Sequence, residues 1–111
     1  MKTEKTSGSD ANPRKDLSFK TRHFGKALVI TNTYRKGGSL AVELVDTNGE
    51  GLAMLSVNIP ESSHLLGGNE FFVKTWSENE EIAKDALASG LFRDTGRYSD
   101  GFISAEIWAL N

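Results

Sequence analysis

Apolar and polar residues alternate with period two through Ser39-Leu40-Ala41-Val42-Glu43-Leu44-Val45 and again through Leu52-Ala53-Met54-Leu55-Ser56-Val57-Asn58-Ile59. Between the two runs stands Asp46-Thr47-Asn48-Gly49-Glu50-Gly51. Alternation of that kind sends successive side chains to opposite faces of an extended chain. Asn-Gly accepts the positive φ that a tight hairpin turn demands. Residues 38–59 are therefore predicted to form a β-hairpin.

The pattern extends in both directions. Residues 26–35 are rich in β-branched types and run into Lys36-Gly37-Gly38, a turn with two positions free to take positive φ, so a second hairpin should join 26–35 to 39–46. Leu17, Phe19 and Thr21 alternate with polar neighbours and suggest a short first strand. The expected inward rows are Leu28/Ile30, Leu40/Val42/Leu44 and Ala53/Leu55/Val57/Ile59. Alternation stops at Pro60, which lacks a ladder donor, and 60–69 reads as a loop.

A further strand is expected at 70–76, followed by the clearest helix signal. Ser77 and Glu80 have capping-box spacing, with Glu78, Glu80 and Glu81 at the positive end of the helix dipole. Ile82, Ala83, Ala86 and Leu87 share one stripe, Lys84 and Asp85 face away, and Gly90 stands where a left-handed C-cap belongs. Polar residues 93–101 read as a loop before a last strand at 102–110. The expected fold is α+β: a mainly antiparallel sheet of about five strands with one helix packed on one face.

Composition bounds this picture. A chain of 111 residues with 38% hydrophobic and 25% charged residues is ordinary for one soluble domain. Residues 1–16 hold almost no apolar side chains and are expected to be a disordered tail, leaving 17–111 as a single domain. The N-terminal residues contain no secretory-type apolar segment, and no apolar run approaches a membrane span, so a cytoplasmic location without membrane contact is expected. Charge is split: residues 1–26 carry seven basic and three acidic groups, the remaining 85 six and twelve. Such asymmetry admits a nucleic-acid-binding arm, but that segment lacks the aromatic interleaving or dense basic run such arms show. Nucleic acid is thus a disfavoured partner.

Absences narrow the chemistry. With no cysteine there is no disulfide, thiolate nucleophile or thiolate metal site. His23 and His64 lie far apart with no carboxylate at ligand spacing, so neither a metal nor another cofactor is expected. Gly37-Gly38 and Gly67-Gly68 lack the strand-to-helix context of phosphate loops. The best candidate surface is loop 93–101, where Arg93 and Arg97 have the chemistry to grip a carboxylate or phosphate beside Asp94, Asp100 and the flat anchor Tyr98. The same residues are also ordinary turn formers, and their charges suit one another. Trp76 and Trp108 are core material unless they cover the sheet's second face, where they would mark a partner or homodimer surface.

From Gly25 onward the order of blocks resembles domain-of-unknown-function family 4313, small proteins of bacterial plasmids, conjugative elements and phage-like islands. Residues 34–44 resemble the family's aromatic, turn and "LAI-x-L" strand; Ala53-Met54-Leu55-Ser56-Val57-Asn58-Ile59 resembles its "A-x-LTVNL" strand. Asn69-Glu70-Phe71-Phe72-Val73-Lys74-Thr75 resembles its "AFVDTN" segment, with Lys74 in place of Asp. Gly90-Leu91-Phe92 to Thr95-Gly96-Arg97 and Gly101-Phe102 resemble its "GL…TGR…GF" ending. The resemblance implies origin on a mobile genetic element and carries over no catalytic residue. The expected function is a small non-catalytic protein-binding or modulator protein of such an element, an inhibitor of a host defence component being one form. A small enzyme or ligand-binding domain using loop 93–101, and nucleic-acid binding through the basic N-terminal segment, stand as alternatives.

Overall fold

The computed structural model describes residues 12–111. Antiparallel strands and one main helix are present, but the strands divide into two sheets of four instead of forming one sheet of about five. In the first, β1 (Asn12–Thr21), β2 (Gly25–Thr33), β3 (Leu40–Val45) and β4 (Gly51–Met54) follow one another as a meander. In the second, β5 (Ser56–Val57), β6 (Glu70–Val73), β7 (Phe92–Tyr98) and β8 (Glu106–Leu110) are ordered β5-β6-β8-β7, which sets β8 between β6 and β7. β1 takes in residues 12–16 of the segment expected to be disordered, and residues 1–11 lie outside the described residues.

Both predicted hairpins form. At the β3–β4 turn the Asp46 carboxylate accepts the Asn48 and Glu50 N–H groups at 2.8 and 2.9 Å, and Gly49 takes φ +86°. At the β2–β3 turn Tyr34 N–H donates to Ser39 at 2.8 Å, with Gly37 and Gly38 both at positive φ. The run expected to continue through 52–59 changes sheets at Leu55. Its N–H donates to Val42 of β3 at 2.9 Å, while its carbonyl accepts from Lys74, next to β6, at 2.7 Å. One residue thereby serves both ladders, and its side chain is fully buried.

The inward row of β2 is Ala27 and Val29, both wholly buried, and not Leu28 and Ile30, which are half-buried. Every residue from 27 to 30 is apolar, so alternation leaves the phase open. Register decides it: Val29 pairs with Leu44 and Thr31 with Val42, placing those side chains on one face. Leu44 and Val42 are buried as expected. The main core lies between the sheets, where Phe19, Val29, Leu44 and Leu55 meet Phe71, Val73, Phe92 and Trp108.

A 3-10 turn, Ser77–Asn79, leads into α1 (Glu80–Ala88). The predicted capping box does not form: Ser77 sits at φ +57° and makes no side-chain cap bond. Buried Asn79 turns inward instead and donates to the carbonyls of Met54 and Lys74 at 2.7 and 3.1 Å. Ile82, Ala83 and Ala86 pack into the main core, whereas Leu87, expected on that stripe, is 37% exposed. Gly90 follows the helix at φ +84°, in the left-handed conformation expected of it. Asp85, expected to face away, accepts the Arg22 backbone N–H at 3.0 Å and its Nε at 2.6 Å, tying the β1–β2 turn to the helix.

The segment expected as a loop at 60–69 contains a 3-10 helix, Pro60–Leu65, and covers the second sheet's other face. There Ile59, Phe72, Ala105 and Ile107 form a smaller core. The expected strand at 70–76 is shorter, ending at Val73. Among the described residues, no helix is long and apolar enough to cross a membrane.

Candidate functional site

Most of segment 93–101, predicted as a loop, is strand β7, paired with β8 from Phe92↔Leu110 to Tyr98↔Glu106. A bulge between Asp94 and Arg97 interrupts the pairing. Its geometry comes from the polar residues themselves. Gly96 takes φ +79°, where a side chain would be strained, and the Asp94 carboxylate accepts the Gly96 N–H at 2.9 Å. Thr95 donates its hydroxyl to Ile107 O at 2.6 Å and accepts the Arg97 N–H at 3.2 Å. Asp94 and Thr95 are thus engaged by the backbone of their own hairpin.

Arg97 reaches across the smaller core. Its Nη1 donates to Leu65 O at 2.9 Å, and Nη2 donates to the Glu70 carboxylate, forming an ion pair. Glu70 also accepts the Gly67 N–H at 2.8 Å. The Arg97 guanidinium foremost, then the Gly67 amide, hold the Glu70 carboxyl below the usual glutamate range. Strand β7, strand β6 and the 3-10 segment 60–65 are clamped by this one side chain. Neither Glu70 nor the Leu65 carbonyl was legible as Arg97's partner, because pairing them needs the β6-β8-β7 order.

Beyond Tyr98 the chain closes tightly. Ser99 N–H donates to Ala105 O at 2.8 Å; the Ser99 hydroxyl donates to Ile103 O at 2.6 Å and accepts the Ala105 N–H at 2.9 Å. Asp100 accepts the hydroxyl of buried Ser62 at 2.7 Å, fixing the loop to the 3-10 helix. The loop so braced leaves Phe102 wholly exposed, with Ile103 43% and Tyr98 59% exposed.

The predicted site residues therefore separate. Arg97, Asp94 and Asp100 have internal partners; Arg93 and Tyr98 are exposed on β7. Trp108 is core: 2% exposed, 6.3 Å from the Phe92 ring, its indole N–H donated to Glu106 at 2.9 Å. Trp76 is 38% exposed just before the helix start, in the segment that follows β6, which β8 separates from β7. Phe102 and Ile103 were missed because residues 102–110 read as one strand. The available signal was Ser99-Asp100-Gly101, with Gly101 at φ +94°: a turn there delays the strand to Glu106.

A groove of about 290 Å³ runs between α1 and β8, lined by Thr75, Glu80, Ala83, Lys84, Leu87, Glu106 and Trp108. It is open to solvent, and its polar side chains are Thr75, Glu80, Lys84 and Glu106. Among the described residues, no three His, Asp or Glu side chains are grouped to hold a metal ion. Of the basic groups near the N-terminus, Arg22 is paired with Glu81 and Asp85 at 2.8 and 2.6 Å, and Lys2 and Lys5 lie outside the described residues.

The geometry defines an antiparallel two-sheet α+β protein whose most exposed aromatic surface is the end of the β7–β8 hairpin. No protein-family model matches the chain, and comparison with curated proteins and with solved structures returns no match.

Proposed function

We propose that this chain is a small non-catalytic protein that acts by binding another protein. The observation that carries this reading is the division of labour in residues 93–103. Three of the four charged side chains already have hydrogen-bond partners within the chain, while Tyr98, Phe102 and Ile103 are presented to solvent. A site that performs acid–base or phosphoryl chemistry keeps polar groups free to meet a substrate. A surface that binds protein keeps aromatic and apolar groups on a firm support. The resemblance of its sequence blocks to family 4313 supports a place on a mobile genetic element, where modulation of a host component, including one used in defence, is the proposed role.

The test is affinity capture from host lysate on immobilised protein, against an unrelated α+β protein of similar charge. A partner retained in stoichiometric amount, then rebound after purification, is the expected result; no protein enriched over the control ends the reading. A thermal-shift panel of phosphorylated and carboxylate ligands addresses the enzymatic alternative. No ligand-dependent shift is expected, and one that disappears in Arg97→Ala would favour a ligand site at β7.

A further inference from the structure

We infer that the end of the β7–β8 hairpin is the contact surface, with Phe102 as its anchor, and that the partner is a protein offering an apolar pocket with a basic rim. This inference rests on the protein-binding reading above and names the surface and the chemistry of what it meets.

Three observations carry it. First, Phe102 is completely exposed, with Ile103 beside it in the chain and Tyr98 at the base of the same loop. Phe24 and Trp76 are exposed singly elsewhere, as is normal on a protein surface, whereas the hairpin end brings two exposed aromatic residues and Ile103 within six residues of chain, the composition of an interface centre. Second, the loop is already ordered. Ser99 makes three hydrogen bonds that close residues 99–105, and Ser62 holds Asp100 from the neighbouring 3-10 helix. Binding therefore does not have to offset the ordering of a floppy loop, the condition under which a single large side chain contributes most.

Third, the surround is acidic. Asp100 lies two residues before Phe102, and Glu61 is exposed next to Ser62, which holds Asp100. The basic group closest along the chain, Arg97, is neutralised by Glu70, and Arg93 lies further down β7, opposite Ala109. Carboxylates around an apolar anchor complement a positively charged rim. The same carboxylates oppose an anionic bilayer, and a symmetric pair would bring two acidic surrounds together.

The experiment places a benzophenone photo-crosslinker at position 102 and, separately, at exposed position 84 on α1, and irradiates each in host lysate. The expected result is one protein crosslinked from 102 and not from 84. That protein, purified, should bind Phe102→Ala about 30-fold more weakly or worse than the unaltered chain, with no change in the thermal midpoint. Glu61→Lys should slow association several-fold at low salt, the difference fading as salt rises. An identified partner that binds Phe102→Ala with unchanged affinity overturns the assignment of the surface while leaving the protein-binding reading intact. No partner crosslinked from either position, together with none captured by the immobilised protein, overturns both. Two further arms use the purified chain alone. Phe102-dependent sedimentation with phosphatidylcholine/phosphatidylserine vesicles would overturn the inference in favour of a lipid surface. Phe102-dependent dimerisation by light scattering would overturn it in favour of a second copy.

Discussion

The two sheets have the same number of strands and opposite construction. The first is a meander in which each strand pairs with its neighbour in sequence, and its turns are set by local residues such as Asp46 and the pair Gly37-Gly38. The second receives β8 between β6 and β7, and its two faces feed two separate clusters: Phe71 and Trp108 the main core, Phe72 and Ile107 the smaller one. A sheet packed on both faces has little alternation to show, because inward and outward residues are both apolar. It makes a firm base, and it is the sheet that carries the exposed hairpin end.

The sharpest test of that contrast is Phe72→Ala. Phe72 is buried between β6 and the cover of segment 60–66, and its removal should cost about 3–5 kcal/mol of unfolding free energy in a denaturant titration. A loss below about 1 kcal/mol would mean that the smaller core is not a second seat of stability. Leu55→Ala should follow, at about 2–4 kcal/mol, because the residue is fully buried where the sheets meet. One cooperative transition, seen alike by tryptophan fluorescence and far-ultraviolet circular dichroism, is expected for the unaltered chain. Divergence of the two probes would show the sheets to be separable.

Asn79→Ala comes next, at about 1–3 kcal/mol, since the Met54 and Lys74 carbonyls lose their donor beneath the helix start. Ser77→Ala should change stability by less than about 0.5 kcal/mol, because the capping bond it was expected to make is absent.

Arg97→Ala should cost about 1 kcal/mol at neutral pH, less than Asn79→Ala, the guanidinium being 47% exposed and partly screened. Its pH dependence has a definite sign. The Glu70 carboxyl is held below its ordinary value, so the stabilisation is complete above about pH 4.3, the range of an unfolded glutamate, and is lost as pH falls through the lower folded value. The stability difference between the unaltered chain and Arg97→Ala should therefore shrink on acidification. A constant difference from pH 7 to pH 3 would mean that the Leu65 carbonyl, and not Glu70, is what Arg97 serves.

How much could be read in advance follows from the same contrast. The hairpin between β3 and β4 was legible because alternation and the Asp-Thr-Asn-Gly turn agree. The phase of β2 was not, because residues 27–30 are apolar without a break and only pairing with β3 selects Val29 over Ile30. Strand β7 hid behind its polarity. At the end of a sheet its side chains meet water, and Arg93, Asp94 and Arg97 then look like a loop. The capping box failed where Asn79, two residues after Ser77, turns inward to the carbonyls of Lys74 and, 25 residues away, Met54. At the candidate site, the residue types were legible; which of them were already engaged was not, because Glu70, Leu65 and Ser62 reach them only through tertiary structure.

The bulge at Thr95-Gly96 has a consequence for how the protein keeps to itself. The last strand of a sheet offers a row of unpaired amides and carbonyls to any stray strand, and a regular row of that kind seeds polymers. In β7 the row is broken at its midpoint, and an antiparallel copy centred there would set Arg93 against Arg97. Backbone zipping is thereby discouraged along the length of the hairpin, leaving its end to discriminate among partners by the fit of side chains.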